Sequence, residues 1–423
     1  MDSRHTPAAA APHTSEFSRG WRIVAASMIG IACGSSPVPY TSIGQLIGPM
    51  HEQLGWSVAN ISLAITVYGL SASAMAPYVG RLADRHGVRR IALWSMALFG
   101  LSFGSLALVP ADVRAWWIAW ALAGLVGIGS GTLTWTRGIG LWFMRQRGLA
   151  LGIALIGTSF TGMIMPQFAG WAIDNFGWRS AFPLLALLPL GLALPVLALW
   201  FREPTAAERP VGVFAAGRLL GVSAAEAVRS YRFWIMIASI LLIALAYGGM
   251  FVHMQQIIEL AGFERGAARG VVSTMALAIL VGRIGTGWFL DRIWAPLVTL
   301  PVLSLPALSC VLLSGDGLTL PLAYFSACAV GLAAGAETDV IAYMASRYFG
   351  MAQYGQIYGM LFMPFGIASA ISPAIYGWAR DVTGGYDAAL RVAMGMFLLG
   401  AVLLLALGRY PVFHAQEPKA AAA

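Results

Sequence analysis

The chain has 423 residues, of which 59% are hydrophobic and only 10% charged, with a formal charge of +8 at pH 7. Soluble proteins carry roughly 25% charged residues, so this chain cannot cover itself in water and its solvent is a lipid bilayer. The positive balance comes from Arg in short loops between apolar spans and excludes a nucleic-acid footprint; Cys33, Cys310 and Cys328 all fall inside apolar spans and leave no disulfide framework.

Residues 1–20 are polar and rich in Ala and Pro, with no apolar segment ending at a small-residue cleavage site, so the first span is expected to be retained. Apolar stretches of about 20 residues then follow near 21–46, 57–80, 90–110, 114–143, 148–173 and 179–201. A second set lies near 232–258, 267–289, 294–314, 318–346, 354–379 and 388–408. The expected organisation is a tail over 1–20, a six-helix bundle over 21–201, a linker over 202–231, a second bundle over 232–409 and a tail over 410–423. Span 1 is interrupted by Pro37 and Pro39, which free backbone carbonyls that can line a cavity. In the linker, Pro204 and Pro210 break the chain, and Ala224 to Arg232 reads as a short interfacial helix. Arg clusters in the tail before span 1, in alternate loops and in the linker place both termini in the cytoplasm by the positive-inside bias.

The two halves are copies. Gly80-Arg-Leu-Ala-Asp84-Arg85 ends span 2, and Gly287-Trp-Phe-Leu-Asp291-Arg292 ends span 8, at an offset of 207 residues. The same offset carries Gly148 to Gly355, Gly152 to Gly359, Pro166 to Pro373, Trp171 to Trp378 and Asp174 to Asp381. A register kept across several helices implies one bundle duplicated, giving two halves that can rock about a central site.

The stretch Gly80-Arg-Leu-Ala-Asp84-Arg85-His-Gly87-Val-Arg89-Arg90 resembles the span 2–3 loop of the major facilitator superfamily, and the resemblance covers about residues 20–410. It implies an all-α polytopic membrane protein with twelve transmembrane helices in two pseudo-symmetric six-helix bundles. It also implies that Asp84, Arg85 and Arg89 latch the outward-open state; Gly80 permits close helix approach, and Asp84 sits where it can meet a helix N-terminus. Asp291 and Arg292 repeat the motif in the second half. More narrowly, Trp142-Phe143-Met-Arg145-Gln-Arg147-Gly148-Leu-Ala-Leu-Gly152 is similar to the span 4–5 junction of monocarboxylate and oxalate/formate carriers, as are Leu54-Gly55-Trp56-Ser57 and Gly177-Trp178-Arg179. Span 1 reads Gly34-Ser-Ser-Pro37-Val-Pro39-Tyr40-Thr41 in place of the acidic-Gly-aromatic signature of animal carriers, and span 11 carries no Lys, which argues against a dicarboxylate.

Ionisable side chains inside a span each cost roughly 2.5–3.5 kcal/mol on insertion scales and need a reason. Arg283 lies eight residues before Asp291, about 12 Å from the span end and near the midplane. One guanidinium at that depth suits a carboxylate, which it binds bidentately, or a structural ion pair; the resemblance to monocarboxylate carriers matches Arg283 to their substrate-binding Arg. Glu337 and Asp339 in span 10 lie level with it but two residues apart, on roughly opposite faces. One of them is expected to pair with a buried donor and the other to carry the coupling proton, with the assignment open. Arg137 snorkels to the interface, supplies a second anion contact from the N-terminal half or makes a gate contact to span 10 or 11. Tyr40, Tyr247 and Tyr343 are candidates to shape the cavity, and Met250, His253 and Met254 read as packing before metal binding. The expected function is alternating-access uptake of a small organic anion, a monocarboxylate, with a proton or sodium as coupling ion. Such a carrier works as a monomer in a bacterial inner membrane, without cofactor, metal, enzymatic activity or nucleic acid. Efflux or exchange, including drug/proton antiport, and a transporter-like ligand sensor are the alternatives. For antiport, the span 5 stretch Gly162-Met-Ile-Met-Pro166-Gln-Phe-Ala-Gly170 lacks the full drug-antiporter pattern.

Overall fold

The computed structural model describes residues 16–210, 214–215, 218–315 and 317–413; most of both expected tails lies outside the described residues. The first half consists of α1 (Glu16–Ala32), α2 (Val38–Leu54), α3 (Val58–His86), α4 (Val88–Ser105), α5 (Val113–Gly127), α6 (Thr132–Trp142), α7 (Arg147–Phe176), α8 (Trp178–Leu187) and α9 (Leu194–Trp200). A short α10 (Ala224–Arg229) precedes the second half: α11 (Tyr231–Leu260), α12 (Arg265–Leu290), α13 (Ala295–Leu313), α14 (Leu320–Phe349), α15 (Tyr354–Thr383) and α16 (Asp387–Leu405). Eleven helical stretches among the described residues are long and apolar enough to cross a membrane; α5 with α6 and α8 with α9 each form one of them.

The remaining span is α1 plus α2, broken at residues 33–37 where Pro37 and Pro39 remove backbone donors. An unpaired backbone group in hydrocarbon costs several kcal/mol, and neighbouring spans satisfy the groups this break exposes. The Ser35 N–H donates to the Ser130 hydroxyl at 3.1 Å, and the Tyr68 hydroxyl donates to the Ser35 carbonyl at 2.7 Å. The prolyl interruption read in the sequence is therefore a structural break pinned by α3 and by the Ile128–Ser130 turn that joins α5 to α6.

The internal repeat is visible in the helix boundaries. α7 and α15 begin and end 207 residues apart, and so do the starts of α3 and α12. The halves pack on each other chiefly through α3 against α15 and α7 against α12, the two repeat-related pairings. Both crossings are made by glycine. A Cβ on Gly80 would collide with the Gly355 carbonyl, and one on Gly287 would collide with the Gly148 carbonyl. These contacts lie at the end of the bundle that carries the Arg-rich loops. Toward the other end α2 leaves open space around Gly44 and Gly48.

The linker runs along the Arg-rich end. Two short strands, β1 (Phe214–Ala215) and β2 (Arg218–Leu219), pair antiparallel, and α10 starts on a Ser223–Glu226 capping box. Beyond β2 the chain bonds to the α14–α15 junction, with Val222 N–H to the Phe349 carbonyl at 2.9 Å and Met351 N–H to the Leu220 carbonyl at 2.6 Å. The helix expected over Ala224–Arg232 is present, shortened by three residues because Ser230 caps the start of α11.

Candidate functional site

The Arg-rich end is closed by two equivalent devices. Asp84, in the last turn of α3, accepts the N–H groups of Gly355 at 2.9 Å and Gln356 at 2.8 Å. These are among the unpaired donors of the first turn of α15, where the helix dipole is positive. Asp291, just past α12, accepts the N–H groups of Gly148 at 2.7 Å and Leu149 at 2.9 Å at the start of α7. Its carboxyl is raised from the ordinary 3.8 to about 6, first by burial and further by Glu16; the Leu149 and Gly148 amides and the Arg147 charge oppose the rise.

Around this closure the other motif residues take different parts. Arg81 Nε donates to Gln356 Oε1 at 3.2 Å across the halves, a contact the sequence did not single out. Arg89 donates to the Ala198 carbonyl at 2.6 Å, holding α9 within its own half. Arg85 is exposed, and Gly87 turns the chain between α3 and α4 at a φ of 87°. Arg292 donates to the Trp288 carbonyl at 2.9 Å and lies 3.8 Å over the Trp288 ring. Arg137, a candidate for an anion contact or for a gate contact to span 10 or 11, instead forms a buried ion pair with Asp84 of α3. Residue 137 lies five residues before the end of α6, so its side chain reaches the closure. Tyr343 departs in the same direction. It is buried among Asp291, Arg347 and Tyr410, one turn nearer the closure than Asp339.

Seven residues before the end of α12, Arg283 donates through Nη1 to Asp339 Oδ1 at 3.1 Å and to Thr338 Oγ1 at 3.2 Å. Arg283 and Asp339 are both buried, and the Arg283 Nε and Asp339 Oδ2 have no hydrogen-bond partner. The pair sits at the seam between halves: a Cβ on Gly152 of α7 would press on the Arg283 carbonyl and lie 3.6 Å from Asp339 Oδ2. Two buried hydroxyls meet each other at this seam, Thr132 of α6 and Tyr358 of α15. Tyr358 is close enough to both Arg283 and Asp339 to interact with their charges. Glu337 turns the other way, into a void of about 20 Å³ inside the second half, among Met236, Ser239 and Ile240 of α11 and Met344 of α14. Tyr247 is half-buried, within electrostatic reach of both Glu337 and Arg283.

Tyr40 is half-exposed and lines a cavity of about 250 Å³ between α2 and α3 of one half and α15 of the other. No group of three or more His, Cys, Asp or Glu able to hold a metal occurs among the described residues. His253, considered with Met250 and Met254 for soft-metal binding, has both ring nitrogens engaged. Nε2 meets the Pro373 carbonyl at 3.0 Å, so it carries the proton, and Nδ1 meets the Tyr386 hydroxyl at 2.9 Å.

A sequence profile of the Major Facilitator Superfamily matches residues 23–335. Monocarboxylate transporter 13 of Bos taurus is 29% identical over 66% of this chain and 64% of its own length. Monocarboxylate transporter 11 of Mus musculus is 26% identical over 92% of this chain and 88% of its own. Among solved structures, the fucose:proton symporter of E. coli superposes with a TM-score of 0.69 at 11% identity, over 94% of this chain and 100% of that one.

Proposed function

The chain belongs to the Major Facilitator Superfamily, and on that premise we propose that it is a proton-coupled carrier of a small monocarboxylate, working by alternating access. The observation that carries the reading is the Arg283–Asp339 pair, a buried guanidinium whose carboxylate partner is on a neighbouring helix and whose Nε is still free. A substrate carboxylate can engage the guanidinium bidentately and displace Asp339. A buried carboxylate left without its cation is strongly disfavoured as the charged form, so Asp339 takes up a proton as the anion arrives. One anion and one proton then cross together, and the anion's departure restores the ion pair and releases the proton. Glu337 has no part in this exchange, because it faces the interior of the second half. The names of the relatives support a monocarboxylate as the cargo.

In this reading the Arg-rich end faces the cytoplasm of a bacterial cell, and the Asp84 and Asp291 closures hold the cytoplasmic side shut. The two six-helix bundles, 21–201 and 232–409, are the rocking units and residues 202–231 tether them. The test is uptake of labelled monocarboxylate into proteoliposomes. Wild type should accumulate it when the outside is made acidic. Asp339→Asn should retain anion-for-anion exchange and lose accumulation driven by the pH gradient. Gradient-driven accumulation in Asp339→Asn equal to wild type removes Asp339 from coupling.

A further inference from the structure

The cavity between the halves holds an arrangement that a carboxylate alone does not use. Its walls carry Ser36, Tyr40 and Ser73 from the first half and Phe362, Phe365 and Ser369 from α15. None of the residues lining it is charged. The four hydroxyls of Ser36, Tyr40, Ser73 and Ser369 make no hydrogen bond to the protein among the described residues, although many other Ser and Thr hydroxyls in the spans bond a backbone carbonyl. The ring of Tyr40 meets Tyr68 edge-on at 6.0 Å, and Phe362 lies 5.2 Å from Phe365, so two aromatic walls face the space from opposite halves. At about 250 Å³ the cavity exceeds the roughly 150 Å³ that holds a benzene ring in an engineered apolar void.

Its position ties it to Arg283. Tyr358 neighbours the Arg283–Asp339 pair, and Phe362 and Phe365 follow on α15 by four and seven residues, about 6 and 10 Å away from the Arg-rich end. An anion with its carboxylate on Arg283 would extend its remaining atoms into this cavity. We propose that the cavity is a subsite for the uncharged part of the substrate, and that the cargo is a monocarboxylate bearing a ring-sized tail with a hydrogen-bonding group. Acids of two or three carbons would leave the four hydroxyls and both aromatic walls without a ligand. The proposal rests on the reading of Arg283 as the carboxylate site.

The test compares acetate, lactate, benzoate, phenylacetate and 4-hydroxyphenylacetate as competitors of each other's binding, followed by thermal stabilisation of purified protein. Wild type should favour the ring acids over acetate by at least about tenfold, and 4-hydroxyphenylacetate over phenylacetate. The ring-to-acetate ratio should fall about tenfold in Ser369→Leu, which fills the cavity. The hydroxyl preference should disappear in the double variant Tyr40→Phe, Ser73→Ala, which keeps the volume. Equal affinity for acetate and ring acids in wild type, with both lost in Arg283→Gln, overturns the subsite and leaves Arg283 standing. Ring acids that bind Arg283→Gln as well as wild type overturn both readings.

Discussion

The two acids of α14 face different surroundings, and this gives them opposite predicted behaviour. Asp339→Asn leaves the buried Arg283 charge without its partner, a change that costs on the order of 3–5 kcal/mol where such pairs are fully buried. The variant should melt well below wild type, and a carboxylate ligand should recover more stability in it than in wild type by replacing the missing anion. Glu337→Gln is isosteric and lies in the small void of the second half. It should keep proton-driven accumulation, and its melting temperature should not respond differently to ligand. Melting curves with and without a monocarboxylate check both. The sequence placed Arg283, Glu337 and Asp339 at one depth by counting helical rise, and it put the two acids on opposite faces. It could not say which face meets α12, because that depends on the rotation of α14 within the bundle. Tyr343 illustrates the same limit: four residues from Asp339 it shares a face, but the extra turn carries it down to Asp291.

At the level of elements, each half closes on the other by presenting an aspartate to the start of a helix. The motif was legible because it occurs twice, at one offset, beside glycines that also repeat. The roles of Arg81 and Arg137 were not, since their partners lie 275 and 53 residues away and only packing brings them together. Substituting Gly148 by Val would push a side chain into the Gly287 carbonyl, so the α7–α12 crossing should open. A probe at the Arg-rich end should then react several-fold faster than in wild type. The closure through Asp291 should also depend on pH. When the end opens, the carboxyl returns to water and to its ordinary 3.8; when closed it titrates at about 6. Closing therefore takes up protons between these values, so acidification through pH 6 favours the closed end and alkaline pH weakens it. Two charges face the same carboxyl, Arg147 lowering its pKa and Glu16 raising it. Probe accessibility measured from pH 4.5 to 8 should rise with a midpoint near 6, and Asp291→Asn should flatten that component.

Across the whole molecule, the proposed alternating access requires that the closed end open in every cycle. Arg81 of α3 and Gln356 of α15 touch across the halves, so cysteines at both positions should cross-link in this state. The cross-linked protein should bind ligand, transport nothing, and recover on reduction. Transport by the cross-linked protein would mean that the halves do not separate at this end. The twelve spans and the duplication could be read from the apolar stretches and the repeat, and the location of the closure from the family resemblance of the loop that starts at Gly80. The cavity between the halves could not, because Tyr40, Ser73 and Ser369 come from three separated spans and carry no motif of their own. Substrate recognition and proton coupling both turn on Arg283 holding the substrate carboxylate. The most direct measurement is equilibrium binding of labelled monocarboxylate to purified wild type and Arg283→Gln, with an intact fold verified by melting. Binding to wild type should be saturable, and the variant should lose at least about a hundredfold in affinity. Equal affinity in both would contradict that role for Arg283.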